Sequence, residues 1–286
     1  MQKHYYLIST DHLEDRIWFQ DDEDFKAAMN FVAVADYVCG IRVLDFILMS
    51  NHVHFVVYAY LQEARRFIDY FKLLYSKYLR KRHGVTKFLR RNDVDIQELD
   101  EHNESVERAI AYVEMNCVAA KICVHPSQYP WGCGSVFFGQ KEQGRRLGIM
   151  SVRAQNRLLH SRIKLPQDYI VTADGFISPS SYIPVSFVEN IFSTPSRFQY
   201  FLNKSSKARV RMSEEAMPSF RDQVILSAVN DLCSSLFRKP SLSALTDEEK
   251  AEMLRQLRYR FSADIAQLSR VTGIPYQEAS SLIESY

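Results

Sequence analysis

Residues 41–58 read IRVLDFILMSNHVHFVVY, two apolar runs separated by Ser50-Asn51. The runs are rich in β-branched and aromatic side chains, and Ser50-Asn51 is typical of a turn. The stretch therefore predicts a β-hairpin with strands over 41–49 and 52–58. On the second strand His52 and His54 are two residues apart, so their imidazoles should project from one face of the sheet.

The residues before this hairpin predict further strands and one helix. The stretches 4–9 and 16–20 have the pattern of short strands. Asp21-Asp22-Glu23 should open an amphipathic helix that runs to about Val38, with acidic residues at its positive end and Gly40 as its stop. Strands interleaved with helices, one strand pair being antiparallel, predict an α+β fold in which helices pack on an antiparallel sheet.

Residues 61–91 predict a second helix followed by a basic loop. From Lys72 to Arg91 there are eight basic residues and no acidic one, with Tyr75 and Tyr78 among them. A solvated helix face would give this pattern, and so would a surface that follows phosphates and stacks bases on its aromatic rings. The candidate DNA-binding residues are Lys72, Lys77, Tyr78, Arg80, Lys81, Arg82, Lys87, Arg90 and Arg91.

A third helix should begin at Asn103 as its cap and carry Tyr112 and Asn116 one turn apart at the rim of its apolar face. Both side chains could reach one point above a neighbouring sheet. An amide oxygen suits Mg²⁺ or Mn²⁺ beside two histidines, and a phenol becomes a nucleophile when charge lies near it. Alternatively, Tyr112 merely packs, as most of the sixteen tyrosines must, and Asn116 bonds its own backbone.

The chain divides into three predicted parts: an α+β domain over 1–140, a small mixed appendage over 141–205 and a helical domain over 206–286. The appendage should contain a basic helix over 145–162, a hairpin around Asp174-Gly175, two short helices over 187–192 and 197–202, and the start of a polar linker over 204–217. Near the C-terminus, residues 265–283 predict helix, turn at Gly273, helix. That spacing fits a helix-turn-helix and an ordinary αα-hairpin equally well.

Composition restricts the class of protein. A formal net charge of +2 over 286 residues excludes a polycation, so any nucleic-acid surface must come from local clustering. Five widely spaced cysteines, with no C-x-x-C pair, argue against a disulfide scaffold and a cysteine zinc site. With no signal pattern and no apolar run near ~20 residues, we expect a cytoplasmic protein without a membrane span.

These motifs together resemble a known family. The pattern His52-Val53-His54, then some sixty residues later a helix with Tyr112 and Asn116, then Tyr129-Pro130-Trp131, resembles the REP-associated tyrosine transposases of the single-tyrosine HUH superfamily. The resemblance covers about residues 4–135. It implies a ferredoxin-like or RRM-like catalytic domain, with the helical C-terminal segment as an appendage.

The resemblance also implies an activity and its residues. His52, His54 and Asn116 would hold a divalent cation, Mg²⁺ or Mn²⁺, and Tyr112 would attack a phosphate of single-stranded or hairpin DNA. A 5′-phosphotyrosine intermediate would then allow the strand to be rejoined. The partner would be DNA, without a membrane, and the chain could form a homodimer.

One departure from the family keeps other functions open. The family pattern Asn-Pro-Val-Arg-Ala-Gly is replaced here by Asn116-Cys-Val-Ala-Ala-Lys121, which spares the tyrosine and the metal set. A domesticated or inactive DNA-binding regulatory protein would keep the fold and the basic surface without the nuclease. A metal-dependent phosphodiesterase using water would cleave without a covalent adduct.

Overall fold

The computed structural model describes residues 2–10, 16–86, 89, 94–139, 143–205 and 221–285. Its N-terminal part follows the order β1-α1-β2-β3-α2-β4, and two further helices complete it. The bounds are β1 His4–Ser9, α1 Asp22–Cys39, β2 Arg42–Met49, β3 His52–Ala59, α2 Leu61–His83, β4 Asp95–Leu99, α3 Ser105–Glu114 and α4 Asn116–Ala119.

The four strands form one antiparallel sheet in the order β2-β3-β1-β4. A β-α-β-β-α-β chain with that strand order has the ferredoxin-like arrangement. Within the sheet, β1 pairs with β3 from His4 opposite Ala59 to Ser9 opposite His54. The predicted α+β class, with helices packed on an antiparallel sheet, is confirmed.

The first helix has the ends that its sequence predicts. Asp21 is the N-cap, and its carboxylate accepts a hydrogen bond from the backbone N–H of Asp24. Gly40 ends the helix in the left-handed conformation, with φ of 65°, which glycine adopts without strain. The turn at Gly40 sends the chain directly into β2, the strand that pairs with the histidine strand.

The two faces of the sheet carry different helices. Phe55 on β3 contacts Phe67 and Phe71 of α2, with ring centroids 5.0 and 5.5 Å apart. His54, its neighbour on the same strand, contacts Tyr112 of α3 instead. Successive residues of a strand point to opposite faces, so α2 and α3 lie on opposite sides of the sheet and the imidazole pair faces α3.

Two predictions for the N-terminal part were wrong, and one strand was missed. The segment 16–20 is not a strand: the N–H groups of Trp18 and Phe19 both donate to the carbonyl of Ser50, and both rings are buried. Asn103 does not cap α3, because the N-cap is Glu104 with a φ of 55°. The sequence also failed to indicate β4, an edge strand in which only Leu99 is buried.

The appendage packs against helices on both faces of the sheet, against α1 on one face and α3 on the other. It contains a short two-stranded sheet and three helices, and its predicted short helices over 187–192 and 197–202 are present. Instead of one helix over 145–162, the chain forms a short strand followed by a separate short helix. The bounds are β5 Gly144–Arg146, α5 Val152–Leu158, β6 Ile170–Thr172, α6 Val185–Phe192 and α7 Pro195–Lys204.

The segment around Asp174-Gly175 forms a tight turn. Gly175 adopts a φ of 90°, and the N–H of Thr172 donates to the carbonyl of Phe176. Across the turn, Val171 and Ile177 form an antiparallel bridge, and the N–H of Ser178 donates to the carbonyl of Ile170. The expected hairpin around Asp174-Gly175 is therefore present in short form, and its first strand, residues 170–172, also pairs with residues 144–146.

Within residues 221–285, four helices surround a buried core of their own, which includes Leu254 and Leu268. The last two are joined at Gly273, which is left-handed with a φ of 73°, as the sequence predicts; a DNA-binding role for this pair stays a prediction. The bounds are α8 Asp222–Ser235, α9 Asp247–Phe261, α10 Ile265–Thr272 and α11 Tyr276–Ser285. Most of the predicted linker, from 206 to 217, lies outside the described residues.

Candidate functional site

Strand β3 brings the two histidines together at one end of the sheet. Their ring centroids are 5.0 Å apart, and the ring planes cross at 77°. His54 is fully buried, whereas His52 at the hairpin end is partly exposed. The pairing follows directly from the two-residue repeat of a strand, as the sequence predicts, and gives one imidazole with access to solvent.

Helix α3 adds the phenol to this pair. The ring of Tyr112 lies against His54 with centroids 5.5 Å apart and planes at 82°. Tyr112 is partly exposed and also lines an open cleft of about 790 Å³ beside β4 and α7. The aromatic contact between α3 and β3 therefore places a solvent-accessible phenol next to the buried imidazole.

Asn116 lies one turn after Tyr112, where α3 passes into α4. It is buried, and its amide nitrogen donates to the backbone carbonyls of Tyr112 and Val113 at 2.9 and 3.2 Å. The alternative weighed from sequence, a side chain bonded to its own helix, thus describes the nitrogen. An amide nitrogen fixed in this way determines where the amide oxygen points, and the oxygen is the atom that would bind a cation.

The donors at this site fit a divalent cation of the Mg²⁺ or Mn²⁺ class. Two imidazole nitrogens and one amide oxygen are ligands that Mn²⁺ accepts and that Mg²⁺ tolerates when water completes the shell. Within the described residues, no cluster of three or more His, Cys, Asp or Glu side chains could hold a metal. A metal at this end of the sheet would therefore depend on Asn116 as well as on the two histidines.

Asn51 is a residue of this site that sequence reasoning treated only as part of a turn. Its amide oxygen lies 3.0 Å from Nδ1 of His52. An amide oxygen can only accept, so this hydrogen bond favours the neutral tautomer that carries its proton on Nδ1, in which the lone pair of Nε2 is available. Partners of this kind fix the tautomer of metal-binding histidines. The only sequence signal was its position directly before the first histidine.

A buried pair of carboxyl groups lies behind the tyrosine helix. Glu114 on α3 and Asp45 on β2 are 2% and 0% exposed. Burial raises the pKa of Asp45 to about 7, and burial together with the charge of Asp45 raises the pKa of Glu114 well above its usual range. Two buried carboxyls close together resist ionising at the same time, so at least one of the pair should keep its proton at neutral pH.

The C-terminal helices form a second wall beside His52. A cleft of about 600 Å³ lies between the end of the hairpin and helices α8 and α10. Asp222, at the start of α8, accepts hydrogen bonds from the hydroxyl of Ser50 and from the side chains of Gln267 and Arg270. One buried carboxylate thus connects the hairpin turn to the C-terminal part, a contact that local sequence patterns could not reveal.

The predicted basic tract lies on α2, across the sheet from the histidines. Lys72 is buried and paired with Asp69, and Tyr75 and Tyr78 are buried, with their hydroxyls donating to the carbonyls of Trp18 and Glu23. Neither tyrosine ring is on the surface in this structure. Of the remaining candidates, Lys77, Arg80 and Lys81 are exposed, Arg82 is paired with Asp21 and Asp24, and Lys87, Arg90 and Arg91 lie outside the described residues.

Comparison with known proteins gives little further identification. No protein-family model matches the chain, and no curated protein matches it. Among solved structures, the chain is similar to one described as a REP-associated tyrosine transposase bound to a REP hairpin, with a TM-score of 0.37 and 9% identity. The likeness covers 46% of this chain and 78% of the other. Within the described residues no helix is both long and apolar enough to cross a bilayer.

Proposed function

We propose that the chain cleaves and rejoins single-stranded or hairpin DNA through a covalent tyrosine intermediate. The observation that carries the proposal is the edge contact of the Tyr112 and His54 rings, 5.5 Å apart, beside the second imidazole of His52. A phenol that could act as a nucleophile thus lies beside two imidazoles that could bind a cation, and Tyr112 and His52 are partly exposed. That combination serves phosphoryl transfer, in which positioning and charge stabilisation do most of the work.

The chain's own residues would perform the chemistry as follows. His52, His54 and Asn116 would hold Mg²⁺ or Mn²⁺, which supplies positive charge to polarise the scissile phosphate. The phenol oxygen of Tyr112 attacks phosphorus in line and gives up its proton. A new P–O bond to the tyrosine forms as the bond to the 3′ oxygen breaks, and that oxygen takes a proton to become a free 3′-hydroxyl. The phosphotyrosine keeps the energy of the phosphodiester, so another 3′-hydroxyl can reverse the step without a nucleotide cofactor.

The substrate class follows from the reach of the tyrosine. Tyr112 projects from a helix that packs on the sheet, so it can attack only a phosphate that is brought into the cleft beside it. A duplex holds its phosphates on a rigid cylinder, whereas an unpaired strand can bend into a cleft. The clefts on either side of the site, at Tyr112 and at His52, provide a path for such a strand.

The test is the formation of a covalent protein–DNA adduct. End-labelled DNA hairpins with randomised single-stranded flanks are incubated with the full chain and Mn²⁺, and adducts are resolved on denaturing gels. We expect an adduct with the wild type, none with Tyr112→Phe and none after chelation of the metal. The matched control is Tyr259→Phe, because Tyr259 lies on α9 and is 88% exposed; it should form the adduct at the wild-type level.

Each other outcome would identify a different function. Cleavage without an adduct, retained in Tyr112→Phe, would indicate a phosphodiesterase that uses water. If the wild type and the variants all bound the DNA and none of them cleaved it, the chain would be a regulatory DNA-binding protein. An adduct that survives in Tyr112→Phe would place the nucleophile elsewhere in the chain.

A further inference from the structure

A basic groove crosses the outer surface of the helix layer, between the second half of α2 and the end of α5. Its volume is about 710 Å³. We call it the α2–α5 groove. Two cations on each side define it, Lys77 and Lys81 from α2 and Arg157 and Arg162 from the appendage, and no carboxylate residue lines it. Residues some eighty positions apart in the sequence therefore form one electropositive surface.

Within the described residues, no carboxylate forms an ion pair with any of the four cations of the groove. All four are exposed, and no carboxylate oxygen in that part of the chain lies within 4 Å of them, in contrast to their neighbours. Arg82 is paired with Asp21 and Asp24, and Lys26 is paired with Glu23. A concave surface of one charge sign attracts and retains polyanions.

The appendage is held firmly enough to keep the two walls in place. The side-chain amide of Asn30 on α1 donates to the carbonyl of Leu158 at 3.0 Å and accepts from the N–H of Ile177 at 2.8 Å. The ring of His160 packs edge-on against Tyr78, with centroids 4.9 Å apart. Burial and the charge of Lys81 lower the pKa of His160, as expected where positive charge is concentrated.

The groove can bind phosphates but exposes no phenyl or indole ring on which bases could stack, and its imidazole, His160, packs edge-on against Tyr78. Its two phenyl-type rings, Phe31 and Tyr78, are 1% and 9% exposed. Proteins that hold single strands combine a basic track with exposed aromatic rings on which bases stack. Cations without such rings suit a duplex, whose bases are already stacked and whose phosphates are the accessible groups.

The groove also lies away from the site at which the DNA strand would be cleaved. It is built on α2, and α2 and the imidazole pair are on opposite faces of the sheet. We propose that the α2–α5 groove binds the phosphate backbone of a double-stranded DNA segment that flanks the cleaved single strand. This inference rests on the proposed function, because it takes the polyanion to be DNA. It adds a duplex-binding site, half of it built by the appendage, to the reaction at Tyr112.

The test measures DNA binding without cleavage. Fluorescence anisotropy is recorded for the full chain, without divalent cations, on a labelled 20-base-pair duplex and on its single strand at several salt concentrations. The groove variant is Lys81→Gln/Arg157→Gln, with one change on each wall. The matched control is Arg65→Gln/Arg66→Gln, an equal loss of charge at exposed residues near the start of α2, about 22 Å from Lys81 by the helix rise.

We expect the groove variant to bind the duplex about tenfold or more weakly and the single strand within about twofold of the wild type. The plot of the logarithm of duplex affinity against the logarithm of salt concentration should become less steep. Its slope should shrink in magnitude by roughly 2, about one per lost phosphate contact. The control should bind both DNAs as the wild type does. Thermal melting should show that both variants remain folded.

Four results would overturn the inference. Equal weakening on single strand and duplex would make the groove a single-strand track, and unchanged binding would make it a solvated face. Equal weakening by the control would show only a general charge effect. If the groove variant lost affinity for a labelled polyglutamate peptide in the same assay but still bound the duplex as the wild type does, the groove would be a site for an acidic protein partner. A chain that binds duplex through the groove but forms no Tyr112 adduct would overturn the proposed reaction alone.

Discussion

Asp36 places a carboxyl group in the buried layer between α1 and β2. It is 8% exposed, and one of its oxygens accepts a hydrogen bond from the N–H of Val43. Burial raises its pKa to about 7, against the lowering effect of that hydrogen bond. In the unfolded chain the pKa is near 3.9, so between roughly pH 4 and 7 the folded chain keeps a proton that the unfolded chain has lost.

The free energy of unfolding should therefore fall as the pH rises from about 4 to 7 and then level off. The shift of about three pKa units corresponds to at most about 4 kcal/mol. Asp36→Asn should remove the part of this slope that Asp36 contributes, leaving the part that Asp45 and Glu114 contribute, and should stabilise the protein at pH 7.5, as measured by urea unfolding at several pH values. The control is Asp231→Asn, on an exposed site of α8; a slope in Asp36→Asn equal to that of the control would contradict the assignment.

Asn51 should act on the metal requirement rather than on the chemical step. Its oxygen favours the tautomer of His52 that carries its proton on Nδ1, and loss of such a partner typically lowers metal affinity by about 10- to 100-fold. In Asn51→Ala, the Mn²⁺ concentration needed for half-maximal adduct formation should rise by about that factor. The rate at saturating Mn²⁺ should stay near the wild type; a lower saturating rate with unchanged metal dependence would show that Asn51 instead contacts the DNA.

At the scale of elements, local sequence patterns predicted what local forces determine. The acidic first turn and Gly40 predicted both ends of α1, and the Ser50-Asn51 turn predicted β2 and β3. The spacing of two residues on a strand predicted that the rings of His52 and His54 lie side by side. The spacing of four residues predicted that Asn116 lies one helical turn after Tyr112. These spacings express the repeat of one element and need no knowledge of the rest of the chain.

Several of the failures come from contact between distant segments. Strand β4 has a single buried residue and is defined by its pairing with β1, so no apolar alternation marks it. Trp18 and Phe19 are apolar because they fill the core, and their N–H groups bond the hairpin turn rather than a strand. The Asp45–Glu114 pair likewise lies on two segments, β2 and α3, and nothing in either segment alone predicts a retained proton.

At the scale of the whole molecule, the appendages contribute to the surfaces that would meet DNA. Helix α7 borders the cleft at Tyr112, α8 and α10 border the cleft at His52, and α5 forms half of the basic groove. Under the proposed function, the ferredoxin-like unit would supply the reactive groups, and the later segments would supply walls around them. Because Asp222 joins one such wall to the hairpin turn, its loss should be felt at both ends of the contact.

Asp222→Asn should loosen the C-terminal helices and the hairpin turn together. Its carboxylate is 4% exposed and bonds Arg270 at 2.7 Å, and breaking a buried ion pair by removing one charge costs about 3–5 kcal/mol. Hydrogen exchange should quicken in both α10 and the turn at Ser50, while α1 keeps its protection, and adduct formation should slow because His52 adjoins that turn.

The matched control is Asp264→Ala, which removes the N-cap of α10 and should quicken exchange in α10 without reaching the turn. Asp222→Asn/Arg270→Met removes the stranded charge as well, so it should recover stability but not the protection of the turn; a turn that stays protected in both Asp222 variants would show that the C-terminal helices do not hold the histidine hairpin in place.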